Sequence, residues 1–144
     1  MSLNAAYDPD NIFTKIIRGE MPATKLYETD NILAFMDVFP QSEGHCLVVH
    51  KRATATNLFD IKGDDLSTLA LAVQKVAAAV KTGLKPDGVR VIQFNGAAAG
   101  QTVFHLHFHI IPVYENQALG QHARGEPAKA EDLERTAEKV RAVL

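Results

Sequence analysis

Hydrophobic positions recur along this chain with two different periods, and the changes of period divide it into eight elements. Ile12, Phe13, Ile16 and Ile17 fall at helical spacing, which predicts a short first helix capped by Asp10 and ended by Gly19, with Pro22 just beyond. KLYETDNILAFMD, residues 25–37, alternates like a hairpin that turns at Thr29, Asp30 and Asn31. HCLVVHK, residues 45–51, predicts a third strand, entered through the turn-rich FPQSEG. From about Asp64 to Lys81 the helical period returns, with Leu66, Leu69, Ala70, Val73, Val76, Ala77 and Val80 on one face. Asp64 or Asp65 is expected to cap this helix and Gly83 to close it. VRVIQFN and VFHLHFHIIPVY predict a fourth and a fifth strand, and a polar stretch with Gly120 and Gly125 follows. A last amphipathic helix begins near Ala130, with Leu133, Ala137, Val140 and Leu144 on its inner face. Residues 1–9 show no period and read as a loose lead-in. The order is helix, three strands, helix, two strands, helix. It predicts an α+β fold: an antiparallel sheet of about five strands, a long helix and shorter terminal helices, mainly on one face.

The bulk properties narrow the classes. A chain of 144 residues, 47% hydrophobic and 22% charged, fits one soluble domain with a real core. A formal net charge of -2 without a block of like charge argues against a nucleic-acid binder, which would carry a basic face. It leaves room for a small anionic ligand. The single cysteine, Cys46, cannot form an internal disulfide and reads as a small buried residue. No leader peptide and no membrane-spanning run is visible. A cytoplasmic protein is expected.

The chemistry concentrates in FHLHFHIIP, residues 104–112. If 104–111 is extended, Leu106, Phe108 and Ile110 enter the core while His105, His107 and His109 share the other face, about 7 Å apart at each step. Lysine, threonine and glutamate would serve a solvated face equally well, so three histidines in alternation point to function. Two readings follow. Paired imidazoles at i and i+2 on a strand suit zinc, although no Cys-x-x-Cys or acidic residue is woven into the motif. Alternatively, one imidazole attacks a substrate while its neighbours hold the charge that develops. The preceding NGAAAGQT has two glycines that let backbone approach a ligand, and Asn95, Gln101 and Thr102 as neutral donors. Together with the histidines it looks like a phosphate site.

With these segments the chain resembles the histidine triad (HIT) proteins, Hint-like branch, whose signature is His-x-His-x-His followed by two apolar residues, here HLHFHII. IFTKIIRGEMPA, LAFMDVFPQSEGHCLVV and FNGAAAGQTVFHLHFHIIP extend the resemblance over roughly residues 11–113. It implies a single HIT domain over 1–144, with a core at 11–113 and a C-terminal helical extension at 114–144. It also implies a nucleotide hydrolase or transferase acting at the α-phosphate of nucleoside 5'-phosphate derivatives, with His107 as nucleophile. His105, His109 and His45 would support it. Phosphate contacts would come from Asn95, Gly100, Gln101, Thr102 and His109, and ribose contacts from Asp37 beside Val38. A purine base would enter a pocket of Ile12, Phe13, Met21 and Phe35. The family resemblance implies a homodimer; no cofactor is expected to be required, since the Cys-x-x-Cys pair is absent and histidine suffices as nucleophile. Asp37 has a simpler reading as the cap of the turn before Pro40, and Ile12, Phe13 and Phe35 would pass as core. His50 and His122 read as surface residues. Many family members carry a Cys-x-x-Cys near the first helix as part of a zinc site. Here Asn11 and Thr14 stand at those places, and the chain has no tryptophan, which some members use to shape the leaving-group side. A metal-dependent hydrolase and a non-catalytic nucleotide sensor or adaptor remain alternatives.

Overall fold

The computed structural model describes residues 3–144. Its elements run α1 (Ile12–Ile17), β1 (Lys25–Glu28), β2 (Ile32–Met36), β3 (Cys46–His50), α2 (Gly63–Leu84), β4 (Gly88–Ile92), β5 (His107–Val113) and α3 (Ala130–Arg141), with one 3-10 turn at Ala97–Ala99. The strands form one antiparallel sheet in the order β1-β2-β3-β5-β4. This is the α+β architecture that the alternation predicts. Among the described residues no helix is long and apolar enough to cross a membrane.

Period-two alternation gives the sheet two apolar faces, and each has its own cover. Ile32, Ala34 and Met36, Cys46 and Val48, and Phe108 and Ile110 pack against α2 and α3. Leu33, Phe35, Leu47 and Val49 pack instead with Phe13 and Ile16 of α1. The register pairs Val49 with His107 and Leu47 with His109. The two histidines therefore belong to the α1 side, in rows continued by Leu33 and Phe35 of β2.

Several local expectations are corrected. Asn11, not Asp10, caps α1, because its Oδ1 accepts the Thr14 N–H at 3.0 Å, while Asp10 pairs with Arg18. The N-cap of α2 is Lys62, without a side-chain bond; Asp64 and Asp65 sit in the first turn, where their charge complements the helix dipole. Gly83 does not close α2, which runs to Leu84 and ends with Lys85 at φ 52°. A Cβ on Gly83 would fall 2.6 Å from the Lys139 carbonyl oxygen, so this glycine lets α3 approach α2. The buried seam of α2 is Leu69, Ala72, Val73, Val76, Ala79 and Val80; Ala70 is exposed. In α3, Thr136 joins Leu133, Ala137 and Val140 inside, and Leu144 lies beyond the helix and is exposed. The fifth strand is shorter than its apolar pattern: it starts at His107, so Phe104–Leu106 lie outside the ladder.

Candidate active site

Alternation brings the chemistry to one place. On the α1 face, Phe35 and Asp37 follow one another two residues apart along β2 and its exit, as do His45 and Leu47 entering β3 and His107 and His109 in β5. The Asp37 N–H bonds the His45 carbonyl at 3.0 Å, which extends the β2–β3 pairing as far as these two side chains. Over them lies a cavity of about 180 Å³, more than ten times the space one water needs. Ile12, Phe13, Ile16, Phe35 and Leu47 form its apolar wall, and Asp37, Thr102, His107, His109 and His122 bring polar groups to it.

Two chains of hydrogen bonds fix the imidazoles. In the first, the Tyr7 hydroxyl lies 2.7 Å from His105 Nδ1 and 2.9 Å from Thr14 Oγ1, and Asn11 Nδ2 donates to Thr14 Oγ1 at 2.9 Å. His105 Nε2 lies 3.0 Å from the His50 carbonyl, which can only accept. His105 therefore carries its proton on Nε2 and receives the Tyr7 hydroxyl at Nδ1. The His105 carbonyl in turn takes the Nδ1–H of His107 at 2.7 Å. His107 thus presents an unprotonated Nε2. In the second chain, the Gln41 N–H donates to His45 Nδ1 at 3.0 Å, so His45 holds its proton on Nε2, 2.9 Å from His109 Nδ1. His109 is left with an Nε2–H that is buried and has no partner among the described residues. One ring offers a lone pair, and the next, 5.0 Å away between centroids, offers a donor.

Burial keeps these rings neutral. It lowers His105 and His107 to about 4. His109 falls to about 2, through burial first and then the neighbouring His107, His45 and His122. Burial also lowers His45, partly opposed by Asp37. The Cys46 thiol, buried on the opposite face, is pushed up to about 12 and is inert.

The cavity gathers eight of the residues singled out from the sequence: Ile12, Phe13, Phe35, Asp37, Val38, Thr102, His107 and His109. The others stand back from its wall. His105 and His45 act behind His107 and His109 through the bonds just described. Met21 is exposed, and its neighbours Pro22 and Ala23 line the cavity instead. Asn95 Oδ1 holds the Leu58 N–H and Gln93 Nε2. Gln101 is buried and braces its own loop, accepting the Gly96 N–H and donating to the Thr56 and Val103 carbonyls. Gly100, at φ 111°, turns the chain where a side chain would be strained, and its carbonyl accepts His122 Nε2–H at 3.1 Å. Asp37 does cap its turn, Oδ1 accepting the Phe39 N–H at 2.8 Å, while Oδ2 lies 3.3 Å from His45 Nε2.

Two surface assignments are corrected. His50 is buried, its Nδ1 accepting the Arg52 and Ala53 N–H groups. His122 lines the cavity, packed on Phe94 and His109. Tyr7, in the segment read as a loose lead-in, is tied to the triad. No local signal marks His122 or Tyr7, since each reaches the site from an aperiodic segment.

The donors at the position of the family's zinc site do not suit that metal. Where zinc-binding family members place cysteines, Asn11 and Thr14 bond each other and Tyr7, and Tyr7 already fills His105 Nδ1; no thiolate is offered. Asp37, His45 and His109 have ligand atoms within 4.8 Å of one another, but a proton already bridges His45 Nε2 and His109 Nδ1. A cation there would have to displace it.

Fold and site together define a compact α+β protein whose buried histidines face an apolar, ligand-sized cleft. The HIT domain family model matches residues 18–116, and the chain belongs to the HIT family. The crystal structure of a HIT-like protein from Bartonella henselae, described as involved in cell-cycle regulation, superposes with a TM-score of 0.88 at 47% identity, covering 96% of this chain and all of that one. A hypothetical histidine triad nucleotide-binding protein from Sulfolobus tokodaii gives a TM-score of 0.82 at 32% identity over 91% of this chain and 89% of that one. Among sequence relatives, the adenosine 5'-monophosphoramidase of Schizosaccharomyces pombe is 36% identical over 90% of this chain and 94% of its own length.

Proposed function

We propose that this protein binds a purine nucleoside 5'-phosphate derivative and cleaves it at the α-phosphate through a covalent nucleotidyl-histidine intermediate, without a metal. The observation that carries the reading is the pairing of an unprotonated His107 Nε2 with the unpartnered His109 Nε2–H at the same cavity. A nucleophile and a donor for the oxygens around it are what in-line attack on phosphorus needs. The base occupies the apolar wall of Ile12, Phe13, Ile16, Phe35 and Leu47, the ribose hydroxyls meet Asp37, and Thr102 and His109 hold the phosphoryl oxygens. The bond from His107 Nε2 to phosphorus forms as the bond to the leaving nitrogen or oxygen breaks. The leaving group takes its proton from solvent, since no ring of the triad holds a spare one. Water then displaces the imidazole and releases the nucleoside monophosphate. The S. pombe relative is named for such a reaction, on a phosphoramidate. We place the protein in the cytoplasm, in keeping with its unpaired, buried Cys46. We also infer a homodimer joined through the edge strand β4, where Val91 is exposed.

The test is rapid quench of chelated enzyme with a fast-leaving substrate, followed by peptide mass mapping. The expected adduct is on His107, and His107→Asn should bind nucleotide yet lose nearly all turnover. An adduct on His105 or His109, or a fully active His107→Asn protein, defeats the mechanism.

A further inference from the structure

The C-terminal segment contributes an imidazole whose chemistry complements that of His109. The His122 ring lines the cavity, with its centroid 5.2 Å from that of His109 and 5.3 Å from that of Phe94. Its Nε2 sits 3.1 Å from the Gly100 carbonyl. A carbonyl only accepts, so the ring proton is on Nε2 and Nδ1 is an acceptor. That Nδ1 is buried and has no partner among the described residues. The adjacent His109 shows the opposite polarity: its Nδ1 is filled by His45 Nε2–H, and its Nε2–H is the orphan. Two unpartnered nitrogens, one donor and one acceptor, therefore belong to adjoining rings that both line the cleft. An unmade buried hydrogen bond is costly, so the ligand that fits is one that satisfies both.

Resting on the nucleotide reading above, we infer that His122 is a specificity-determining residue that accepts a hydrogen bond from the leaving-group N–H of a secondary phosphoramidate, while His109 donates to an oxygen on the same phosphorus. A phosphoramidate, O=P–NH–R, carries an acceptor oxygen and a donor hydrogen on adjacent atoms. An ester or anhydride has only oxygen in the bridging position and would set a lone pair against the lone pair of His122. The residue thus selects P–N over P–O leaving groups.

The test uses two ligands differing in one atom, the N-propyl phosphoramidate and the O-propyl ester of adenosine 5'-monophosphate. Their affinities are measured by calorimetry on full-length His107→Asn protein, which cannot turn them over. The amidate should bind about 10- to 100-fold more tightly, the value of one buried hydrogen bond made rather than lost. Adding His122→Leu should reduce the preference to within about 3-fold, and His122→Asn, which can place an amide oxygen near the lost Nδ1, should restore part of it. Equal affinity for the two ligands before any change at His122, or an undiminished preference in His122→Leu, overturns the inference and leaves the nucleotide reading standing. Binding of neither ligand overturns both.

Discussion

Acid should unfold this protein through its own active site. His105, His107 and His109 are each at most 6% exposed, and burial holds them at about 4, about 4 and about 2. In the unfolded chain each returns to about 6.5. Folded values lie below unfolded ones, so the unfolded state takes up protons first. The stability of the neutral rings is complete above about pH 6.5 and is lost as pH falls toward the folded values. At pH 5 an imidazole shifted from about 6.5 to about 4 destabilises the fold by about 2 kcal/mol relative to pH 8. Three such rings give about 6 kcal/mol, comparable with the whole stability of an ordinary domain. Near pH 6 the three take up about two protons on unfolding, a slope of about 3 kcal/mol per pH unit. His45 and His50, also lowered chiefly by burial, steepen it. Carboxylates are ionised in both states over this range and contribute little. Urea unfolding followed by circular dichroism at half-unit steps from pH 8 to 5 measures the slope. His107→Asn should flatten it by about a third, since one of three rings is removed. A slope of about 1 kcal/mol per pH unit or less corresponds to under one proton and would refute the idea that the whole triad is buried neutral.

Other outcomes follow from single contacts. Tyr7→Phe strands the buried His105 Nδ1, so it should cost about 1–3 kcal/mol in urea unfolding and lower kcat through the His105 carbonyl that orients His107; unchanged stability would show that Tyr7 is no brace. Asp37→Asn keeps an oxygen for the Phe39 N–H but loses the charge, and should weaken ribonucleotide binding by about 1–3 kcal/mol while affecting 2'-deoxyribonucleotides less. Equal losses for the two in calorimetry would remove Asp37 from the ribose site. Sedimentation at micromolar concentration should give a dimer, and Val91→Lys, at a position 48% exposed in the monomer, should dissociate it; a monomeric parent protein contradicts the inferred interface.

The sequence by itself determined what depends on period. The hairpin turning at residues 29–31 and the face shared by His107 and His109 are set by alternation, because neighbouring side chains on a strand must point to opposite sides. The place of α1 was legible from its apolar spacing and the glycine that follows. The role of Asp37 at its turn needed only the local chain. Tertiary structure decided what depends on partners distant in sequence. His105 has the right spacing for the triad face, yet it precedes the strand and is held by Tyr7, 98 residues away. Gln101 has the composition of a phosphate-loop donor, but the Gly96 N–H and the Thr56 and Val103 carbonyls occupy its amide, whereas in Asn95 it is Oδ1 that the Leu58 N–H and Gln93 Nε2 take up. His122 looked like one more polar residue in an aperiodic stretch, and only the path of the chain across β5 sets it beside His109. Hydrogen-bond direction is the physical reason: residue type fixes which atoms can donate, but the fold decides which are already taken, and the nitrogens left over are those available to a ligand.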